Sequence, residues 1–168
     1  HYLVRDNSPV DVDEYPEGYY FTDDITDEAI RYVKELRAHD ADRPFFLYLA
    51  YTAPHWPLQA PDESIARFKG RYDAGYEELY RSRLRRLQSI GLVPKDAAPI
   101  DDARFKPRWS ELTAEQLAIE ARRMEIYAAM VSDLDTYIGK VVEYLKQTGQ
   151  FDNTFIMFLS DNGAESTR

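Results

Sequence analysis

Two apolar segments of strand length constrain the fold of this chain most strongly. Residues 45–51 and 154–159 are apolar at nearly every position, whereas a strand with one exposed face would alternate apolar and polar residues. Helical patterns fill most of the sequence between them. The order strand, helices, strand predicts an α/β fold with a mainly parallel sheet flanked by helices.

The helical patterns have recognisable beginnings and ends. Thr26 is a favourable N-cap for a first helix that ends before Asp40, and Thr113 with Gln116 forms a capping box. The helix after Thr113 extends to Gly149 and is long enough to accommodate a kink or break. Two shorter helices are predicted over residues 62–68 and 76–90.

Composition excludes several functions. The net charge of −9 argues against a nucleic-acid partner, which usually requires a basic face. No apolar run approaches the roughly 20 residues of a membrane helix. The absence of cysteine excludes disulfides and thiol chemistry within these residues. The basic cluster at residues 81–86 is interpreted as a solvated helix face, with an anion-binding patch as the alternative. Compartment and oligomeric state stay open.

Each apolar segment leads directly into a polar loop. In open α/β sheets the ligand crevice lies beyond the carboxyl ends of the strands, so the two loops could line one site. Asp161 and Asn162 follow the second segment and offer the oxygens that Ca²⁺ or Mg²⁺ prefers. An ordinary Asp-Asn-Gly turn is the alternative interpretation.

His55 follows the first segment and stands between two prolines, beside Trp56. Such bracing would hold an imidazole in one place, where it could bind an anion or protonate a leaving oxygen. A loop histidine that packs on Trp56 or is hydrogen-bonded within the loop is the alternative. The carboxylates of Asp23 and Asp24 are explained by the start of a helix rather than by a metal site.

Three stretches together resemble the sulfatase family, especially its bacterial arylsulfatases within the alkaline-phosphatase superfamily. They are GYYFTD at residues 18–23 with Ala29 and Ile30, PFFLYLAYTAPHWPLQAP at residues 44–61, and the stretch from 124 to 165 that ends in FIMFLSDNGAE. The resemblance implies an alkaline-phosphatase-like fold. Residues 1–168 are then expected to be part of a sulfatase catalytic domain, an internal fragment with a helical insert at about residues 62–112.

The activity that this resemblance implies is hydrolysis of small-molecule or glycan sulfate esters. Position by position, Asp161 and Asn162 match a metal-ligand pair for Ca²⁺, with Mg²⁺ as the alternative ion, and His55 matches a histidine of the sulfate pocket. The family's nucleophile is a formylglycine made from the first residue of Cys/Ser-x-Pro-x-Arg, which this sequence lacks. We therefore expect the nucleophile upstream of these residues and no activity from them alone.

Two other functions stay open at this point. One is a phosphatase or phosphodiesterase of the same superfamily, in which Thr or Ser is the nucleophile and zinc the metal. The other is a non-catalytic binding or structural module that has kept the fold. The residues that supply the nucleophile would distinguish all three.

Overall fold

The computed structural model describes residues 3–10, 15–99 and 107–163. A short antiparallel hairpin opens the chain, and helices form most of the remaining described structure. The hairpin strands are β1 (Leu3–Arg5) and β2 (Ser8–Val10), with Leu3 opposite Val10. The helices are α1 (Phe21–His39), α2 (Asp62–Ala66), α3 (Gly75–Ser89) and α4 (Ala114–Gln147), with 3₁₀ turns at Trp109–Glu111 and Phe151–Asn153.

Helix α1 begins more than one turn before the predicted N-cap. Thr26 lies inside the helix, and its hydroxyl donates a 2.7 Å hydrogen bond to the carbonyl oxygen of Thr22. The N-cap prediction was wrong because a threonine hydroxyl can also satisfy a carbonyl one turn earlier. Asp23 and Asp24 occupy the first turn, as the helix-start interpretation required, and α1 ends at His39 as predicted.

Helix α4 is the longest element and is continuous over 34 residues, without the break that its length allowed. Its predicted capping box is confirmed. The Gln116 amide donates to Thr113 Oγ1 at 3.3 Å, and the Thr113 amide donates to Gln116 Oε1 at 2.8 Å. Helices α1 and α2 both pack against α4, whose buried residues include the small side chains of Ala121 and Ala129. The described core is therefore helical.

The two apolar segments have no regular secondary structure, and neither belongs to a sheet of the described residues, where β1 and β2 alone are paired. Phe46 and Tyr48 of the first segment are 92% and 81% exposed, and Phe155 of the second is 86% exposed. The predicted parallel sheet is thus not formed within the described part of the chain. An apolar pattern indicates that a segment has surface to bury, and it does not identify the strands that would pair with it.

The helices predicted over residues 62–68 and 76–90 are present as α2 and α3, and α2 ends two residues earlier than predicted. Gly75 begins α3 with a φ of 84°, and the ring of Tyr76 packs edge-on against Trp109 at 4.9 Å. The hydroxyl of Tyr76 donates to Glu120 at 2.8 Å. Tyr76 therefore connects the start of α3 with the 3₁₀ turn at Trp109 and with helix α4. The basic cluster lies on α3, where Arg83, Arg85 and Arg86 are exposed, in agreement with a solvated helix face.

Candidate functional site

The His55 loop comes directly after the first apolar segment. Its Ala53–Pro54 and Trp56–Pro57 peptide bonds are both cis. The backbone amide of His55 donates to the carbonyl oxygen of Thr52 at 2.9 Å, which closes a turn. The imidazole ring is exposed, and its Nδ1 lies 2.7 Å from the carbonyl oxygen of Trp56.

This hydrogen bond determines which ring nitrogen of His55 is available to a ligand. A carbonyl oxygen only accepts, so Nδ1 carries a hydrogen and Nε2 is left for a ligand. In the neutral ring Nε2 is an acceptor, and in the imidazolium it is a donor that suits an anionic oxygen. The same bond also fits the hydrogen-bonded loop histidine that the sequence left open. Packing on Trp56 is less consistent with the structure, because His55 is exposed.

Asp161 and Asn162 lie in an exposed bend after the second apolar segment. The Ser160 hydroxyl donates to the backbone oxygen of Asn162 at 2.6 Å, and Asn162 Nδ2 donates to the carbonyl oxygen of Gly163 at 2.7 Å. The side-chain amide of Asn162 therefore donates within the bend, and its Oδ1 and the carboxylate of Asp161 make no hydrogen bond among the described residues. Both are hard oxygen ligands that fit Ca²⁺, although a plain turn would form the same bonds.

The structure does not join the His55 loop to the Asp161–Asn162 bend within the described part of the chain. There, no hydrogen bond joins His55 to Asp161 or Asn162, and no three His, Cys, Asp or Glu residues are grouped closely enough to hold a metal ion. Ca²⁺ usually takes roughly six to eight oxygens. A complete metal site would therefore require ligands beyond these two side chains.

A buried polar cluster between α2 and α4 was not predicted from the sequence. Asp133, 5% exposed, accepts hydrogen bonds at Oδ1 from the Ser64 hydroxyl at 2.9 Å and from Arg67 Nη2 at 2.6 Å. Glu125, also buried, accepts from the Gly70 amide at 2.7 Å. Glu125 and Asp133 stand one helical turn to either side of the fully buried Ala129, and this spacing is the signal that could have identified them.

The cluster opens on one side into a shallow cleft of about 340 Å³, lined by Glu63, Ser64, Arg67, Asp133, Thr136, Tyr137 and Lys140. Burial raises the pKa of Tyr137 to about 12, and the carboxylates of Asp23 and Asp133 add to the effect. Burial likewise raises the pKa of Tyr20, whose ring lies 6.0 Å from that of Tyr137. The cleft therefore combines the neutral phenol of Tyr137 with charges that are paired between elements, Arg67 with Asp133 and Lys140 with Asp23. This arrangement suits a structural role.

Comparison with known proteins assigns the chain to a family. The model of the sulfatase family matches residues 2–168, so the chain belongs to the sulfatase family. Members of this family act on sulfate esters and generally use a metal ion and a formylglycine. The family implies an alkaline-phosphatase-like α/β fold. No helix in the described ranges is long and apolar enough to cross a membrane.

Individual relatives agree with this assignment. An arylsulfatase of Klebsiella aerogenes is 42% identical over 163 residues, which are 97% of this chain and 34% of that protein. An uncharacterised sulfatase of Schizosaccharomyces pombe is 42% identical over 98% of this chain and 29% of its own length. A multifunctional alkaline phosphatase superfamily protein of Trinickia caryophylli is 27% identical over 89% of this chain and 32% of its own. The chain thus spans about a third of these relatives.

Proposed function

We propose that this chain supplies part of the metal site and of the sulfate pocket of an enzyme that hydrolyses sulfate esters in the manner of an arylsulfatase. Asp161 and Asn162 would ligate the metal, for which Ca²⁺ is favoured over Mg²⁺, and His55 would bind the sulfate group. The bound metal would polarise the sulfate oxygens, and a formylglycine would supply the nucleophile.

The observation that carries this proposal is the orientation of His55. Because Nδ1 is held by the Trp56 carbonyl at 2.7 Å, Nε2 is the nitrogen that faces a ligand. In its protonated form it would donate to a sulfate oxygen, or transfer a proton to the departing alkoxide or phenoxide. Asp161 and Asn162 would contribute a carboxylate and an amide oxygen to the metal, with the Asn162 amide oriented by its bond to Gly163.

The sequence holds no residue that could become the nucleophile in the family's motif. It has no cysteine, and none of its serines begins Ser-x-Pro-x-Arg. Residues outside these 168 would therefore contribute the formylglycine, and residues 1–168 would form part of the catalytic domain, with residues 62–112 as a helical insert. Without the attacking group, positioned residues cannot perform the displacement.

The same proposal accounts for the two apolar segments. Residues 45–51 and 154–159 would be strands of a mainly parallel sheet completed by strands from elsewhere in a longer polypeptide. The strong exposure of Phe46, Tyr48 and Phe155 supports it, because soluble proteins rarely leave such a concentration of large apolar side chains in water. In that sheet the His55 and Asp161 loops would meet at one edge.

Phosphoryl transfer is the second candidate, because the Trinickia relative is named as a multifunctional member of the alkaline phosphatase superfamily, to which sulfatases and phosphatases both belong. Both candidate enzymes would hydrolyse esters of a tetrahedral anion. An experiment that distinguishes them must therefore compare a sulfate ester with the corresponding phosphate ester. The natural substrate would be a small-molecule or glycan sulfate ester under the first proposal.

The test compares an aryl sulfate with the corresponding aryl phosphate. The enzyme is the polypeptide that carries these residues together with a Cys/Ser-x-Pro-x-Arg motif, assayed with calcium, beside the 168-residue chain. We expect the longer polypeptide to prefer the sulfate and the short chain to hydrolyse neither. A preference for the phosphate would support phosphoryl transfer, and turnover of sulfate by the pure short chain would contradict the role given to formylglycine.

A further inference from the structure

We infer that Thr26 and Tyr51 are positioning residues, which hold the His55 loop against helix α1 and thereby aim the imidazole. The inference rests on the proposed role of His55 in the sulfate pocket. It concerns a hydrogen bond that connects the core of the described structure with the loop, and neither residue is expected to touch the substrate.

The direction of this hydrogen bond is set by the chemistry of Thr26. Its side chain is completely buried, and its hydroxyl oxygen lies 2.7 Å from both the Thr22 carbonyl oxygen and the Tyr51 hydroxyl oxygen. A hydroxyl has one hydrogen, and a carbonyl oxygen can only accept, so the hydrogen of Thr26 goes to Thr22. Tyr51 is therefore the donor to Thr26. Both hydroxyls are satisfied, and because the Thr26 side chain is buried, its hydrogen bonds are worth more than bonds at the surface.

The position of Tyr51 connects this bond to His55. Tyr51 is the last residue of the first apolar segment. The turn that is closed by the hydrogen bond between His55 and Thr52 begins immediately after it. Among the described residues from 51 to 57, the Tyr51 hydroxyl makes the one hydrogen bond that reaches outside the loop. The buried methyl group of Ala53 is a second, apolar anchor. His55, Trp56 and Pro57 are all exposed, so the loop is held from its Tyr51 end.

Removal of the Tyr51 hydroxyl should therefore move the loop without disturbing the helix. Thr26 would keep its bond to Thr22, and the phenyl ring of Tyr51→Phe would fill the same space. Misplacement of a catalytic group by about 1 Å can cost roughly 10²-fold in rate. A loop that retains the anchor at Ala53 should shift less, so we expect a loss of roughly tenfold in kcat/KM.

The test is a double-mutant cycle in the polypeptide that carries both these residues and the formylglycine motif, with an aryl sulfate as substrate. The variants are Tyr51→Phe, Thr26→Val and His55→Ala, and the combination of Tyr51→Phe with His55→Ala. Thr26→Ser keeps the hydroxyl, so it should retain most of the activity that Thr26→Val loses. Tyr48→Phe, at a tyrosine of the same segment whose hydroxyl makes no hydrogen bond among the described residues, is the control for loss of a hydroxyl.

The expected result is a loss of roughly tenfold in kcat/KM for Tyr51→Phe in wild-type His55 and no further loss in the His55→Ala background. Two results would overturn this inference and leave the proposed role of His55 intact. One is an equal loss of kcat/KM from Tyr51→Phe in the presence and in the absence of the His55 side chain. The other is wild-type kinetics for Tyr51→Phe while His55→Ala is impaired. Wild-type kinetics for His55→Ala would overturn the proposed role of His55, and this inference with it. Thermal unfolding of each variant identifies a loss of activity that is due to misfolding. If Tyr51→Phe misfolds, the comparison of Thr26→Ser with Thr26→Val tests the inference, which predicts higher activity for Thr26→Ser and is contradicted by equal activities.

Discussion

Arg67 Nη2 lies 2.6 Å from Oδ1 of the buried Asp133, and this ion pair joins the end of α2 to the middle of α4. Without Arg67, Asp133 would keep the Ser64 hydroxyl but no cationic partner, which is costly for a buried carboxylate. We expect Arg67→Ala to lower the free energy of unfolding by about 1–3 kcal/mol in chemical denaturation.

Arg85→Ala is the matched control for this prediction. Arg85 is also 2.6 Å from a carboxylate, that of Glu78, but both side chains are largely exposed. Surface pairs of this kind contribute about 0–1 kcal/mol, so Arg85→Ala should change little. Equal losses for the two variants would show that burial of Asp133 does not determine the strength of its pair.

Gly75 is expected to be the most sensitive glycine of the helical insert. Its φ of 84° is unfavourable for a side chain, and a Cβ there would overlap the indole ring of Trp109. Gly91 has a similar φ of 78° with open space around it, so Gly91→Ala isolates the backbone cost of about 1–2 kcal/mol. Gly75→Ala should cost clearly more and should alter the fluorescence of Trp109. Equal effects in denaturation would exclude the overlap as a cause.

The raised pKa of Tyr137, a residue of helix α4, predicts a loss of stability at alkaline pH. The pKa of Tyr137 is raised to about 12 in the folded protein, whereas an unfolded tyrosine ionises near 10. The contribution of the neutral phenol is therefore complete below about pH 10 and is lost as pH rises through 12. Tyr137→Phe should make the decline in unfolding free energy over this interval shallower, and the raised pKa of Tyr20 should maintain part of the decline. An unchanged decline would show that Tyr137 is not its source.

His55→Ala should impair turnover far more than folding, because the ring is exposed and its side-chain hydrogen bond is to the neighbouring Trp56. In the polypeptide with the formylglycine motif, we expect kcat/KM for an aryl sulfate to fall by roughly 10²-fold or more, the scale for a positioned acid or anion donor. The midpoint of thermal unfolding should stay close to that of the wild type. Unchanged kinetics in this variant would remove His55 from the site.

Local patterns in the sequence predicted the helices well. The capping box of Thr113 and Gln116 was sufficient to place the start of α4, because it acts within a few residues. The start of α1 was misplaced because Thr26 satisfies a carbonyl inside the helix instead of an amide at its end. The sequence alone does not state which of these two bonds a threonine makes.

Longer-range features were less predictable. The ion pair of Arg67 with Asp133 and the hydrogen bond of Tyr51 with Thr26 join residues far apart in sequence, and neither has a local signature. The sheet was predicted from residues 45–51 and 154–159, yet its pairing depends on neighbours that an apolar pattern does not identify. The assignment of Asp161, Asn162 and His55 came from resemblance to the sulfatase family, and it stays a prediction.

The calcium dependence of an Asp161→Ala variant tests the central proposal most directly. The enzyme is again the polypeptide with the formylglycine motif, and aryl sulfate hydrolysis is measured against calcium concentration, with metal affinity determined by calorimetry. We expect Asp161→Ala to need at least tenfold more calcium for half-maximal activity, with partial recovery at high calcium, because the metal loses one of its charged oxygen ligands. His55→Ala should show wild-type calcium affinity and no recovery. An Asp161→Ala variant with unchanged calcium affinity and unchanged turnover would contradict the proposal that these residues form part of a sulfatase metal site.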